Sequence, residues 1–373
     1  MVRKQSFIVG NGGISALMRS ARLAALQHVV RPFFHFREGE TISFAERQAD
    51  LSLAKVTRKL LGVSGLHSRT ACTSFGLMHY YDSAPDSNQV PLVMLHGIGS
   101  SGQCYIMLAE IIRSKRRVIL PDLFHFSGFS APNNPVMNLS EHAQSVIELL
   151  AEIGVKSCDF VGLSLGGWIG QKIAVQSPDI IRKLMLLNSA GLRFGTITLR
   201  DRLTYLSWEK FQGYFPGILY APPYRGVRVF SPIVRRSLYR LLKDHTVRDF
   251  LKSIRPSDFM EPSLGSIKCP VLLLWGDRDS FLSHQCPHFY LRHIKDIQAF
   301  YIEDCAHILC LEAPTNVLEH LDRFFDLHIN FDSPLPRLLG AFFGRYEERP
   351  VQSRARANAA DEDEPQANYR LSG

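Results

Sequence analysis

The sequence predicts an α/β fold with a mostly parallel central β-sheet and helices on both of its faces. Six short apolar runs lack the alternation of half-exposed strands, as expected of strands buried on both faces. The runs occupy 91–97, 117–123, 158–164, 183–191, 270–277 and 299–307. Helical patterns separate them, and strands that alternate with helices form parallel sheets.

Three other segments have clear local signals. Residues 69–83, before the first run, predict an antiparallel pair of strands. The segment "NLSEHAQSVIELLAEIG" predicts a helix, because Asn138 can cap its start, Glu141 follows three residues later, and Gly154 stops it. Residues 165–177 are apolar on nearly all sides, which is typical of a central helix packed on a sheet.

The alternation of strands and helices divides the chain into regions. It stops near residue 191 and resumes near 267, so we predict that 69–190 and 267–330 together form one α/β core. The intervening 191–266 is helix-like and rich in aromatic residues and arginine, which favours a helical cap over the strand ends. Residues 345–373 contain few large apolar residues and predict a disordered tail.

The first 68 residues form a basic, helical N-terminal extension in this interpretation. Residues 1–37 contain arginine and lysine but no acidic residue, and the pattern of 12–34 fits an amphipathic helix. Three interpretations stay open: a helix packed on the body, a membrane-surface helix, and a transit peptide. An apolar run of about 18 residues, which a transmembrane helix requires, does not occur.

Composition narrows the function classes. The chain has 373 residues, 46% of them hydrophobic, and a formal net charge of +8. We expect no nucleic-acid partner, since no basic segment accompanies a nucleic-acid-binding motif. Seven cysteines without a CxxC pair favour a reduced, cytoplasmic compartment, although the basic N-terminus also allows organellar targeting or peripheral membrane contact. The oligomeric state is not predicted.

The segment "DFVGLSLGGW" (159–168) places a serine between two glycines, at the junction of a predicted strand and a predicted helix. The pattern G-x-S-x-G in this context is typical of a nucleophile at the tip of a sharp turn. We predict that Ser164 is the nucleophile. The backbone N–H of Leu165, which begins the helix, would donate to an oxyanion. A tight turn with no chemical role is the simpler alternative.

A serine hydroxyl needs a base, and the base needs a carboxylate. His307 follows the last apolar run and so lies at the same carboxyl edge of the sheet as Ser164. "WGDRDS" ends the fifth run at that edge and offers two aspartates. We choose Asp279, which extends further into the loop, and keep Asp277 as the alternative.

A second oxyanion donor is predicted after the first run, in "HGIGSSG" (96–102). The N–H of Ile98 would supply it, because glycines let the backbone approach a substrate closely. We expect His96 to orient this loop at the substrate-binding site, beside Gly97. An ordinary glycine-rich turn is the alternative.

The segments "HGIG", "GLSLGG", "WGDRD" and "AHILCLEAP" occur in an order and spacing that resemble the α/β-hydrolase fold family, over about residues 70–328. The resemblance implies a Ser164–His307–Asp279 triad, a mobile cap, and chemistry that needs no metal or cofactor. "HQCPH" (284–288) looks like a metal cluster, but we expect it to be structural.

One loop departs from the family pattern. "PDLFHFSGFS" (121–130) has His125 and Ser127 where glycines are expected. Its phenylalanines would make the rim of the site apolar, which suits an acyl chain or an aromatic group, and packing would explain them equally well. We expect Phe124 and Phe126 to contact substrate, together with Trp168 on the helix after Ser164.

The leading functional hypothesis is hydrolysis of a carboxylic ester of a small or acyl-chain substrate through an acyl-enzyme. Carbon–carbon bond hydrolysis of the meta-cleavage-product type is the alternative, although those enzymes often carry an asparagine where this chain has Leu163. A non-catalytic binding protein on the same fold is the third possibility.

Overall fold

The structure is a computed structural model that describes residues 65–84, 86–126, 129–194 and 245–352. The predicted N-terminal helix, most of the predicted cap and the end of the predicted tail lie outside the described residues. The fold is therefore discussed for the remaining part of the chain.

The core is a ten-stranded sheet. Its strands are β1 (His67–Thr73), β2 (Gly76–Asp82), β3 (Leu92–Leu95), β4 (Val118–Pro121), β5 (Ala131–Pro132), β6 (Cys158–Leu163), β7 (Ile181–Leu187), β8 (Val271–Gly276), β9 (Ile297–Ile302) and β10 (Glu348–Pro350). They lie in the order β1-β2-β4-β3-β6-β7-β8-β9-β10, and β5 pairs with β2.

All six predicted apolar runs form strands, and they are joined in parallel from β4 to β9. The predicted leading pair is also confirmed, because β1 and β2 are antiparallel. The central strands β3, β4, β6 and β8 are buried along their whole length, which explains why they lack polar–apolar alternation. The predicted α/β fold class is confirmed.

Eight α-helices accompany the sheet in the described ranges. They are α1 (Ile106–Ile112), α2 (Leu139–Glu152), α3 (Leu165–Gln176), α4 (His245–Ser253), α5 (Cys286–His293), α6 (Leu309–Glu312), α7 (Pro314–Phe325) and α8 (Pro334–Phe343). Helix α2 packs on α3, and α1 packs on α7. Within the described residues, no helix combines the length and apolarity that crossing a bilayer requires.

Helix α2 begins as its sequence predicts. The Asn138 side chain accepts a hydrogen bond from the Glu141 N–H at 3.0 Å, and the Glu141 carboxylate accepts one from the Asn138 N–H at 2.6 Å. This reciprocal capping satisfies two donors that the first turn would otherwise leave unpaired. After the helix, Gly154 adopts a φ of 73°, which is why the chain can turn there.

The strand order creates a crevice at the carboxyl edge of the sheet. Strand β3 pairs with β4 on one side and with β6 on the other, so the chain leaves these neighbouring strands in opposite directions. Ligands of open α/β sheets bind at such a switch point. The loop that begins at His96 and the turn that contains Ser164 both lie at this edge.

The predicted boundaries of the core need correction at both ends. Strand β1 starts at His67, inside the predicted extension 1–68. Residues 345–352, predicted to belong to a disordered tail, contain β10, which pairs antiparallel with β9. The prediction of disorder from composition is wrong for these residues. Main-chain pairing and a few polar contacts hold β10, rather than burial of large side chains.

Glu348 supplies the polar contacts of β10. Its carboxylate accepts hydrogen bonds from Asn316 at 2.6 Å and from His320 at 3.0 Å, both on α7. Burial alone would raise the pKa of Glu348, but the bonds from His320 and Asn316 outweigh it and lower that pKa. The ionised carboxylate therefore ties β10 to α7.

The first described helix after residue 244, α4, packs on the core through an aromatic cluster. The cluster consists of Phe126, His142 and Phe250: the His142 ring stacks on Phe126 at 5.4 Å and meets Phe250 edge-on at 5.6 Å. His142 is fully buried, and among the described residues neither of its ring nitrogens has a hydrogen-bond partner. Burial, with smaller contributions from His125 and His96, lowers the pKa of His142 to about 3.

This buried imidazole predicts acid-sensitive stability. Folded His142 stays neutral down to about pH 3, whereas the unfolded chain takes up a proton near pH 6.5, so stability falls as the pH drops between these values. At pH 5 the loss attributable to His142 is about 2 kcal/mol. Urea unfolding at pH 7 and pH 5 should show a smaller loss for His142→Leu than for the wild type.

The matched control is His67→Gln, which removes an exposed histidine of β1. This control should keep the wild-type difference between the two pH values. An equal pH dependence in the wild type and in His142→Leu would contradict the account of a buried neutral imidazole.

Candidate active site

Ser164 lies at the sharp turn between β6 and α3. Its backbone has φ 53° and ψ −114°, a strained conformation for a residue other than glycine. The surrounding main chain holds it there: the Ser164 N–H donates to the Leu187 carbonyl at 3.0 Å, and its carbonyl accepts from the Ala190 N–H at 3.1 Å. The residue is 8% exposed, so the hydroxyl lies in a nearly closed site.

The two glycines of the pattern are required by close packing. A β-carbon on Gly162 would lie 2.5 Å from the Gly166 carbonyl oxygen, and one on Gly166 would lie 2.2 Å from the Leu95 carbonyl oxygen. Real β-carbons do not approach backbone atoms this closely. Helix α3 can therefore begin directly on top of β3 and β6 only because both positions lack a side chain.

Asp279 and His307 are in direct contact. The distance from Asp279 Oδ2 to His307 Nδ1 is 2.8 Å. Asp279 is fully buried, and its other oxygen accepts hydrogen bonds from the N–H groups of Phe281 at 2.7 Å and Leu282 at 3.1 Å. The carboxylate is thus fixed by the loop that carries it, and the imidazole is fixed by the carboxylate.

This contact determines the tautomer of His307. An ionised carboxylate only accepts hydrogen bonds, so Nδ1 must carry the hydrogen and Nε2 must keep its lone pair. A neutral imidazole in this tautomer can take a proton at Nε2. The arrangement is that of a general base held by a carboxylate.

The alternative carboxylate lies elsewhere. Asp277 Oδ1 is 3.8 Å from the Arg278 guanidinium, and its N–H donates to the Ile302 carbonyl at 3.1 Å. Burial raises the pKa of Asp277 despite the nearby arginine. The geometry therefore pairs Asp279, rather than Asp277, with the imidazole.

Two residues that the sequence did not single out hold the loop of His307. Asn188, at the end of β7, donates to the Ala306 carbonyl at 2.6 Å and accepts from the Gly276 N–H at 2.8 Å. Glu312 accepts from the N–H groups of Ala306 at 3.1 Å and Ile308 at 3.2 Å. Asn188 joins the ends of neighbouring strands, a contact that only the sheet order reveals.

The predicted oxyanion donors flank the serine. Leu165 is the first residue of α3, whose twelve residues point their positive dipole end at this position. On the other side, a β-carbon on Gly97 would lie 3.1 Å from Ser164 Cβ and 3.7 Å from its Oγ, so the "HGIG" backbone passes close to the hydroxyl. Ile98 follows Gly97 directly in this loop.

A buried polar network holds the oxyanion loop. The Leu123 N–H donates to His96 Nε2 at 2.9 Å, and the Gly102 N–H donates to Asp122 Oδ1 at 2.6 Å. His96 therefore carries its hydrogen on Nδ1, which donates to the Gly97 carbonyl at 2.8 Å. Burial lowers the pKa of His96, consistent with a neutral ring that orients the loop.

The loop after β4 has a left-handed backbone at one of the positions where its sequence departs from the family pattern. His125 occupies a position where the family pattern expects glycine, and its φ is 67°. Histidine is one of the side chains that tolerate this left-handed region best. Ser127, the second departure, lies outside the described residues.

The predicted substrate contacts are buried. Phe124 is fully buried and Phe126 is 4% exposed. Trp168 Nε1 donates to the Asp258 carbonyl at 2.9 Å, and its ring stacks on Phe259 at 5.4 Å. These contacts join α3 to the segment that precedes β8, and the substrate role of the three aromatic residues stays a prediction.

The "HQCPH" segment has structural contacts. Cys286 is buried in the core, and His288 Nε2 lies 3.3 Å from the Tyr301 hydroxyl. Among the described residues, no group of three or more His, Cys, Asp or Glu side chains is arranged to hold a metal ion. All seven cysteines lie in the described ranges as free thiols.

Comparison with known proteins agrees with this fold. The model of the alpha/beta hydrolase family matches residues 92–320. An uncharacterized carboxylesterase, nap, of Bacillus subtilis is 26% identical over 272 residues, which cover 68% of this chain and 85% of the relative. A 2-hydroxymuconate semialdehyde hydrolase of Pseudomonas sp. is 32% identical over 108 residues, 28% of this chain and 38% of that protein.

Among solved structures, a bacterial membrane phospholipase A, described as a virulence factor, superposes with a TM-score of 0.63 at 22% identity. The match covers 84% of this chain and 97% of that one, and at this identity it supports the fold alone. The family match covers more than half of the chain. The chain belongs to the alpha/beta hydrolase family and is a hydrolase.

The close packing at the serine turn predicts a severe effect of Gly166→Ala. The added methyl group would collide with the Leu95 carbonyl, so we expect insoluble protein or a loss of more than about 4 kcal/mol in the free energy of unfolding. Soluble yield and urea unfolding measure this effect.

Gly340→Ala is the matched control. A β-carbon on Gly340, in α8, would have no heavy atom within 4 Å, so this substitution should stabilise the helix by roughly 0.5–1 kcal/mol. Wild-type stability of Gly166→Ala would contradict the packing argument.

Proposed function

We propose that this hydrolase cleaves carboxylic esters through an acyl-enzyme formed on Ser164. The contact between Asp279 and His307, at the same sheet edge as the strained serine, carries the proposal. The similarity to a carboxylesterase supports an ester as the substrate class. The substrate would be a small molecule whose acyl part faces the aromatic side chains near the site.

The reaction would begin with proton transfer from the Ser164 hydroxyl to His307 Nε2. The serine oxygen attacks the ester carbonyl carbon, and the carbonyl oxygen becomes an oxyanion. Its donors would be the N–H groups of Ile98 and Leu165, the latter reinforced by the dipole of α3. His307 then returns the proton to the departing alcohol, which leaves an acyl group on the serine.

Hydrolysis of the acyl-enzyme would repeat these steps with water. His307 takes a proton from the water molecule, which attacks the acyl carbon, and the proton then returns to Ser164 as the acid departs. Throughout, the Asp279 carboxylate stabilises the imidazolium that forms in each transition state. The Phe281 and Leu282 N–H groups prevent this carboxylate from turning away.

Carbon–carbon bond hydrolysis of the meta-cleavage-product type is the second candidate. The local similarity to a 2-hydroxymuconate semialdehyde hydrolase favours it, although that match covers only 28% of this chain. Leu163, where asparagine is frequent in such enzymes, argues against it. Both reactions would use the same serine and histidine, so the substrate alone separates them.

A substrate panel distinguishes the two candidates. Purified protein would be tested with nitrophenyl esters of increasing acyl length and, in parallel, with a meta-cleavage product analogue. The ester proposal expects turnover of at least one ester and loss of that turnover in Ser164→Ala. Turnover of the analogue alone would contradict the ester proposal and would support carbon–carbon bond hydrolysis instead. Correctly folded protein that turns over neither class would favour a binding function.

The carboxylate assignment predicts unequal effects of two similar substitutions. Asp279→Asn should lower kcat for a nitrophenyl ester by about 10³–10⁴-fold, since an amide favours the wrong tautomer of His307. Asp277→Asn, two residues away in the same loop, should change kcat by less than about threefold.

Circular dichroism and urea unfolding would first establish that both variants are folded. A larger loss of kcat in Asp277→Asn than in Asp279→Asn would contradict the assignment.

A further inference from the structure

A second chain of serine, histidine and aspartate lies outside the candidate active site. Ser68 Oγ is 2.7 Å from His79 Nε2, and His79 Nδ1 is 2.7 Å from Asp122 Oδ2. In these two contacts the hydroxyl meets Nε2 of the imidazole and the carboxylate meets Nδ1. The same arrangement activates the serine of a catalytic triad. The three residues come from β1, from β2 and from the loop that follows β4.

The sheet register explains how this chain forms. Ser68 on β1 is directly opposite Tyr81 on β2, and His79 lies two residues from Tyr81 on the same face. Diagonal neighbours on one face of an antiparallel pair are within reach of long side chains. Strand β1 is the edge of the sheet, so Ser68 is exposed to solvent while His79 is 1% exposed.

The carboxylate of this second chain is fixed and ionised. Asp122 is fully buried, and its Oδ1 accepts from the Gly102 N–H at 2.6 Å. Burial alone would raise the pKa of Asp122, but its other contacts, which include the hydrogen bonds from His79 and from the Gly102 N–H, outweigh burial and lower the pKa. An ionised Asp122 requires the hydrogen of His79 on Nδ1.

In the neutral ring, His79 Nε2 then carries a lone pair and accepts from the Ser68 hydroxyl. The hydroxyl of Ser68 thus points its proton at a buried base and its remaining lone pairs at solvent. This is the condition for a nucleophile, because a base that removes the proton generates alkoxide character on the oxygen.

We propose that Ser68 is a second, solvent-accessible nucleophilic serine, which accepts an acyl group from activated esters. In this step the Ser68 oxygen forms a bond to the carbonyl carbon of the ester, and the bond from that carbon to the leaving group breaks. The proton of Ser68 passes to His79 Nε2 and from there to the leaving alkoxide or phenolate. The products are an acyl ester on Ser68 and a free alcohol or phenol.

Transfer to Ser68 should be slower than transfer to Ser164. Ser68 lies inside a regular strand, whereas Ser164 precedes the N-terminus of a twelve-residue helix. Loss of one oxyanion donor slows acyl transfer by about 10²–10³-fold, so we expect at least that difference in rate. Reactive aryl esters and fluorophosphonates, rather than ordinary alkyl esters, are therefore the appropriate probes.

The competing arrangement is a structural ion pair. If His79 were doubly protonated, Nε2–H would donate to the Ser68 oxygen, and the hydroxyl would have no base. The same heavy-atom distances fit this arrangement, so reactivity must separate the two.

The test uses the full-length Ser164→Ala variant, which removes the faster serine. This protein would be incubated with a fluorophosphonate and, separately, with nitrophenyl acetate at pH 8, digested, and analysed by peptide mass spectrometry. The proposal expects one label per chain on Ser68, at a rate at least about 10²–10³-fold below that of Ser164 in the wild type. It also expects loss of this label in Ser164→Ala combined with His79→Gln.

Ser74 provides an internal control in the same spectra. It is exposed and follows the last residue of β1, but its hydroxyl donates to the Glu148 carboxylate at 3.0 Å instead of to an imidazole. It should stay unlabelled, because a hydrogen-bonded carboxylate is a far weaker base than an imidazole.

Three outcomes overturn the proposal: no label on Ser68 in folded Ser164→Ala, equal labelling of Ser68 and Ser74, and labelling of Ser68 that persists at the same rate after His79→Gln. Because His79 also contacts Asp122, the His79→Gln substitution is made in the wild type as well. Normal labelling of Ser164 there establishes that the protein is folded. Labelling of Ser164 in the wild type is measured separately, so failure at Ser68 leaves the proposed ester hydrolysis untouched.

Discussion

The contact between the start of α3 and the ends of β3 and β6 is the constraint on which the candidate site depends. Gly162 and Gly166 leave no room for a β-carbon, since the Leu95 carbonyl lies 2.2 Å from where one would be on Gly166. The residue between them must therefore turn sharply, and Ser164 adopts a positive φ. Helix α3 begins with the next residue, Leu165, so its N-terminus directly follows the strained serine. A less compact junction would leave an ordinary serine in a loop.

The proposed triad of Ser164, His307 and Asp279 can be compared with the observed chain of Ser68, His79 and Asp122. Asp279 and His307 are fixed by loops at the carboxyl edge, where Asn188 ties the ends of neighbouring strands together. Asp122 and His79 are held as firmly, but Ser68 lies on an extended edge strand. The difference is in the backbone: Ser164 lies at a strained turn directly before a helix N-terminus, whereas Ser68 lies within a regular strand. In the proposed mechanism, side-chain contacts supply the base and the backbone supplies the stabilisation of the oxyanion.

Much of this architecture can be predicted from the sequence, and the failures have physical causes. Apolar runs locate the six parallel strands because burial on both faces leaves a strong signal, and Asn138 and Glu141 locate the start of α2 because capping is local. Strand β10 cannot be recognised from composition, because it is held by main-chain pairing, which does not depend on apolar side chains. The contact of His79 with Asp122 was also missed, because it depends on which strands are neighbours. The position of the strand end favours Asp279 over Asp277, and the contact of Asp279 with His307 supports this choice.

The most direct test of the proposed mechanism is to trap the covalent intermediate. Wild-type protein would be mixed with a nitrophenyl ester, quenched in acid within the first turnover, digested and analysed by mass spectrometry. The account predicts that the peptide containing Ser164 gains the mass of the acyl group at a rate matching the initial burst of nitrophenol. Release of nitrophenol over many turnovers, with no acyl group on Ser164 at any time, would contradict it.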